Sequence, residues 1–192
     1  MNRPLSIVTI LLISAFVSRN DAVAADMKAL TMEGKGVMMS FARALKGELV
    51  GAMKSGGPGK ALKVCNIKAP AIAAMASKKS GWTVARSSHK LRNPANKPDA
   101  FTAAAIKDFL DRIGKGEKAE KLIKTAIVEE NGKKVFRLVK AIPTKGVCLK
   151  CHGSSVKPEV LKKIKALYPE DQATGFRPGQ MRGVFTLSKT LN

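Results

Sequence analysis

Cysteine, histidine and aromatic residues are all scarce in this chain, whose 192 residues include three Cys, two His, one Trp and one Tyr. Three cysteines are too few for a disulfide-stapled scaffold. One Trp and one Tyr, with no aromatic residues interleaved among the basic ones, exclude the stacking platforms of single-stranded nucleic-acid binders. Acidic residues are also few, 14 against 35 Lys and Arg, which gives a formal net charge of +21. Past the N-terminus no apolar run is long enough to cross a bilayer, which takes about 20 residues. Internal repeats and low-complexity tracts are missing as well.

What is present gains weight from that scarcity. Cys148 and Cys151 are separated by two residues and followed at once by His152 and Gly153. Cys-x-x-Cys-His is the attachment motif of c-type haem, in which both thiols bond to the porphyrin and the histidine ligates iron. A thioredoxin-like redox pair would open a helix after a strand in a βαβ pattern, and a zinc site would need two further ligands nearby. Neither context is found, and a structural disulfide leaves His152 without a role.

Haem is attached outside the cytoplasm, and the N-terminus agrees with export. Arg3 precedes an apolar run from Leu5 to Val17, then polar residues, then Ala22-Val23-Ala24-Ala25. A basic start, a short apolar core and a small-residue cleavage site read as a secretory signal peptide over residues 1–24, with cleavage after Ala24 or Ala25. An uncleaved anchor is the alternative. Cleavage leaves a soluble periplasmic chain over 25–192, of a size suited to one domain and still carrying about +20. Export argues against nucleic acid as the partner of that charge. An acidic protein, weak association with an anionic membrane surface and a merely solvated lysine surface stay open.

Along the chain, Met38, Phe41, Leu45, Leu49 and Met53 recur at helical spacing, and Ser55-Gly56-Gly57-Pro58-Gly59 ends that helix. A second helical stretch puts Leu62, Cys65, Ala69, Ile72 and Met75 on one face. Cys65 there is either a small core hydrophobe or a functional thiol. Pro70 lacks an N–H and clashes with the Asn66 carbonyl, so the helix kinks or restarts just past the cysteine. Gly81 to Ser88 reads as a strand running into a proline-containing loop from His89 to Pro98. Arg86, Lys90 and Arg92 are of the right kind to grip haem propionates. Asp99 to Ile113 reads as a helix. Thr125 to Glu130 and Lys133 to Ile142 form a hairpin across Asn131-Gly132. Another helix, through Val156, Val160, Ile164 and Leu167, and a last strand from Met181 to Ser188 close the chain. Helices combined with antiparallel strands indicate an α+β domain.

Four stretches carry a family resemblance: Val64 to Pro70, Arg86 to Asn96, Cys148 to Gly153, and Tyr168 to Phe176 leading to Gly179 to Gly183. The chain resembles the single-haem c-type sensor domains with a PAS-like fold. The resemblance implies a five-stranded antiparallel sheet with flanking helices, an N-terminal amphipathic helix, haem held against the sheet, and a cysteine thiolate as second axial ligand. By position that cysteine is Cys65, so the implied metal ligands are His152 and Cys65. With Cys148 and Cys151 bonded to porphyrin, Cys65 is the only thiol left, and an odd cysteine in an exported chain needs a reason.

Met181 and His89 are the competing ligands. A thiolate lowers the reduction potential of haem and methionine raises it, so ligand identity separates the functional readings. The first is a redox or small-gas sensor reporting to a separate signalling protein. The second is a soluble electron-transfer cytochrome docking on acidic redox partners. An enzyme such as a peroxidase would need a distal acid or base, for which His89 is the sole histidine left. The expectation is therefore a non-enzymatic haem protein.

Overall fold

The computed structural model describes residues 19–191. Of the expected signal segment, residues 1–18 lie outside that range and 19–24 form the first turns of a helix. No helix among the described residues is long and apolar enough to cross a membrane.

Helix α1, Arg19–Lys63, is interrupted where the sequence indicates. Gly56 and Gly57 leave helical geometry, Gly57 with φ +62° and ψ −160°. Pro58 then begins a shorter second segment, in a position where its missing N–H costs nothing. The stripe from Met38 to Met53 faces inward: Met38, Phe41 and Leu45 are buried, and Leu49 and Met53 are partly so.

A π-helical turn, Val64–Lys68, connects α1 to α2, Ala69–Ser80. The Ala69 N–H donates to the Val64 carbonyl across this wider turn, and Pro70 falls in the first turn of α2. The backbone thus absorbs the proline by widening a single turn. That extra width changes the angular phase of the helix, which corrects one expectation. Leu62 and Ala69 are buried, but Met75 points to solvent at 71% exposure.

Four strands follow: β1 Thr83–Ser87, β2 Ile123–Glu130, β3 Lys133–Pro143 and β4 Met181–Thr190. They form one antiparallel sheet in the order β1-β4-β3-β2. Asn131 and Gly132 take φ +52° and +72°, as a type I′ hairpin requires. Between β1 and β2 lies α3, Ala100–Gly114, capped by the Asp99 carboxylate accepting from the Thr102 N–H at 2.7 Å. After β3 come the short helix α4, Leu149–His152, and α5, Pro158–Leu167.

The sheet is covered on both faces. Phe41, Trp82, Val84, Phe136, Leu138 and Leu187 join it to α1 and α2 in one cluster. Ala105, Ile106, Phe109, Val139, Ala141 and Val184 join the other face to α3 in a second. Alternation along β3 sends Phe136 and Leu138 one way, Val139 and Ala141 the other. The result is an α+β, PAS-like domain with flanking helices.

The described residues carry four strands where five were expected. Residues 168–180 do not extend the sheet, because their backbone groups are bonded elsewhere. Gln172 N donates to Leu91 O, Ala173 N to the Asp171 carboxylate, Gly175 N to Gly153 O and Phe176 N to His152 O. This segment is the cradle of the Cys-x-x-Cys-His turn.

Candidate functional site

A cleft opens where the end of α1, the π turn, the loop after β1 and helix α4 meet. It encloses about 980 Å³ of empty space, part of it open to solvent. Cys65, Arg86, Arg92, Cys148, Cys151 and His152 all line it. Leu49, Met53, Ala61, Leu62, Leu91 and Val147 supply its apolar wall.

The attachment motif is shaped locally. A 3₁₀ turn over Gly146–Cys148 leads into α4, so Cys148, Cys151 and His152 sit on consecutive tight turns. Gly153 ends the helix under steric constraint: a Cβ there would lie 2.6 Å from the Leu149 carbonyl oxygen. Gly153 itself is extended and bridges to Phe176 in parallel.

His152 is fixed from behind. Its Nδ1–H donates to the Ala173 carbonyl at 2.7 Å, which leaves Nε2 with its lone pair free for a metal. Burial, then the positive charges of Arg182 and Arg92, push its pKa down to about 2 against the pull of the Ala173 bond. The imidazole is therefore neutral at physiological pH, the form a metal ligand needs. Burial also pushes the Cys151 thiol up, opposed by Arg92.

Arg92 holds this arrangement together. Its Nε donates to Asp171 Oδ1 at 2.9 Å, and one terminal nitrogen reaches the carbonyls of Cys151 at 2.7 Å and Ala173 at 3.1 Å. The Arg92–Asp171 pair is nearly buried, with side chains 10% and 6% exposed. One residue thus ties the haem-type motif, the Asp171-Ala173 turn and the loop after β1 into a single unit. That commits most of its donors to the protein itself.

Comparisons with known proteins give the chain a family and a fold. The family model described as Tll0287-like matches residues 11–189, nearly the whole chain. The chain belongs to the Tll0287-like family. It is similar to the crystal structure of the cyanobacterial heme-protein Tll0287, with a TM-score of 0.60 at 22% identity over 83% of this chain and 96% of that one. At that identity the likeness shows the fold. No curated protein matches. The resemblance drawn from the sequence is borne out at the level of family and fold.

In this Tll0287-like chain Cys65 is half-buried on the π turn and reaches the cleft. The competing ligands lie elsewhere. Met181 is buried in the cluster beneath α3, and His89 stands edge-on to Phe176 at 5.7 Å, outside the lining. Its pKa is lowered by burial and by neighbouring Lys90 and Arg182. Met53 is the one methionine among the described residues lining the cleft.

Sequence reasoning missed Asp171, Tyr168 and Arg182. The first is the partner of Arg92, and the other two line the cleft. Tyr168, Asp171 and Arg182 all fall inside the stretches carrying the resemblance. Pattern alone gives no reason to pair residues 79 positions apart, the separation of Arg92 and Asp171.

Proposed function

We propose that this chain is an exported, periplasmic haem-binding protein that holds one c-type haem and senses redox state or a small gas. The observation carrying the proposal is convergence: the thiols of Cys148 and Cys151, the imidazole of His152 and the distant thiol of Cys65 line one cleft. The family relationship to a heme-protein supports it.

The residues fit the group. Two thiols in adjacent turns suit covalent attachment, a neutral imidazole with Nε2 available suits the iron, and a mostly apolar cleft suits the face of a porphyrin. When bound, haem supplies a one-electron couple at iron and affinity for small gases.

The chain's part is to hold one ligand rigidly and the other loosely. His152 is fixed by Ala173, Arg92 and Asp171. Cys65, which would be the second protein group to hold the iron, lies in a π-helical turn, an irregularity frequent at functional sites. Release of Cys65 would let that turn repack and shift α1, biasing a two-state element that a separate protein could read. No catalytic group is assigned.

The deciding experiment is the visible and near-infrared spectrum of the protein, ferric and reduced, after expression with haem-attachment machinery. A thiolate charge-transfer band that changes on reduction and disappears in Cys65→Ala supports the sensor. An unchanged spectrum in Cys65→Ala overturns it. A methionine-type spectrum favours the soluble electron carrier instead, with Met53 as the residue to test, and the +21 charge would then serve acidic redox partners. Absence of a Soret band removes the haem reading.

A further inference from the structure

We infer that Arg182 and Arg86 together form a site for two carboxylates in the cleft, taking the two propionates of haem; this deepens the haem reading above and rests on it. Three guanidinium groups line one cleft, those of Arg86, Arg92 and Arg182. Arg92 is neutralised by Asp171 and bonded to two carbonyls. Among the described residues, Arg86 and Arg182 have no such partner. The carboxylates of Glu33, Glu48, Asp99, Asp108, Glu117, Glu130 and Asp171 are all paired with other cations.

Burial places a real demand on these two residues. Desolvation weakens the hold of both guanidiniums on their protons, and each stands close enough to other cleft charges to feel them. For Arg182, lowered to about 10, the largest effect after burial is the like charge of Arg86. Two neighbouring, half-buried cations without counter-ions are unfavourable unless a ligand brings the negative charge. Arginine's planar fork grips a carboxylate through two parallel hydrogen bonds. Two unpaired guanidiniums match the two carboxylates of one haem. Sequence reasoning put Lys90 and Arg92 in this role beside Arg86; Arg92 is engaged by Asp171, and Arg182 is the further guanidinium in the cleft without a partner.

The test makes porphyrin binding reversible. In a Cys148→Ser/Cys151→Ser chain, haemin and haemin dimethyl ester are titrated and followed at the Soret band. The free acid should bind about 100-fold more tightly than the ester, roughly tenfold for each carboxylate gripped. Arg182→Gln and Arg86→Gln should each shrink that preference about tenfold. The acid–ester comparison uses intact arginines, so it stands even where an arginine variant fails to fold. Equal binding of acid and ester overturns the inference alone, as does full preference in a folded Arg182→Gln chain. Failure of the serine chain to bind either porphyrin, while the unaltered chain carries covalent haem, also overturns it. A missing Soret band in the unaltered chain removes the haem reading and this inference with it.

Discussion

The two sides of the cleft are built on opposite principles. On one, His152 and Cys151 belong to a short helix at whose end the carbonyls of Cys151, His152 and Gly153 and the imidazole are bonded by Arg92, Phe176, Gly175 and Ala173. On the other, Cys65 sits in a widened helical turn between two solvent-facing residues, Ile67 and Lys68, and the cleft. Hydrogen bonds from distant segments hold the first side. The second is held mainly by apolar packing of Leu62, Val64 and Ala69. A side chain on the first side is positioned by a network, and one on the second by a single turn of helix.

Substitutions can break that comparison. Asp171→Asn should have the largest effect, since it leaves Arg92 buried with its charge uncompensated. A loss of about 3–5 kcal/mol in the haem-free protein is expected, measured by urea denaturation. A loss below about 1 kcal/mol would mean the histidine side is not locked. Gly153→Ala comes next, because its methyl group would meet the Leu149 carbonyl. The cost should be about 1–3 kcal/mol, typical of overpacking.

Smaller effects sharpen the contrast on the cysteine side. Gly51→Ala, on the helix leading to Cys65, adds a methyl group with nothing within 4 Å. It should stabilise the protein by about 0.5–1 kcal/mol, read as a rise in melting temperature. Cys65→Ala should alter haem-free stability least, by less than about 1 kcal/mol, because the residue is only half-buried. Hydrogen exchange in the reduced holoprotein gives a further check. Amides of residues 64–69 should exchange faster than those of 149–153, and the reverse order would contradict the assignment of the mobile side.

Much of this was legible from local pattern. The inward stripe of α1, its break at Gly56-Gly57, the Asn131-Gly132 hairpin, the Asp99 cap and the Cys-x-x-Cys-His turn each depend on residues close in sequence. Two classes of feature were not legible. One is phase: the π turn that accommodates Pro70 shifts the face of α2, so Met75 is exposed although spacing put it inside. The other is long-range pairing. Arg92 reads as a cleft cation, which it is, but its pairing with Asp171, 79 residues on, could not be read from the sequence. Arg182 carried no local signal, because nothing around a lone arginine in a strand says that two more arginines share its cleft.

The Arg92–Asp171 bridge also bears on the order in which the protein is assembled. It closes a long stretch of chain, and β1 cannot pair with β4 until residues near the C-terminus exist, as the Thr83–Ser188 register shows. Contacts of such high separation form slowly relative to local helices. The turn carrying Cys148, Cys151 and His152 therefore stays unbraced until residues 171–176 have been made. The brace behind His152 thus closes only after the local helices on either side of it can have formed, so the site is completed late although its motif is local.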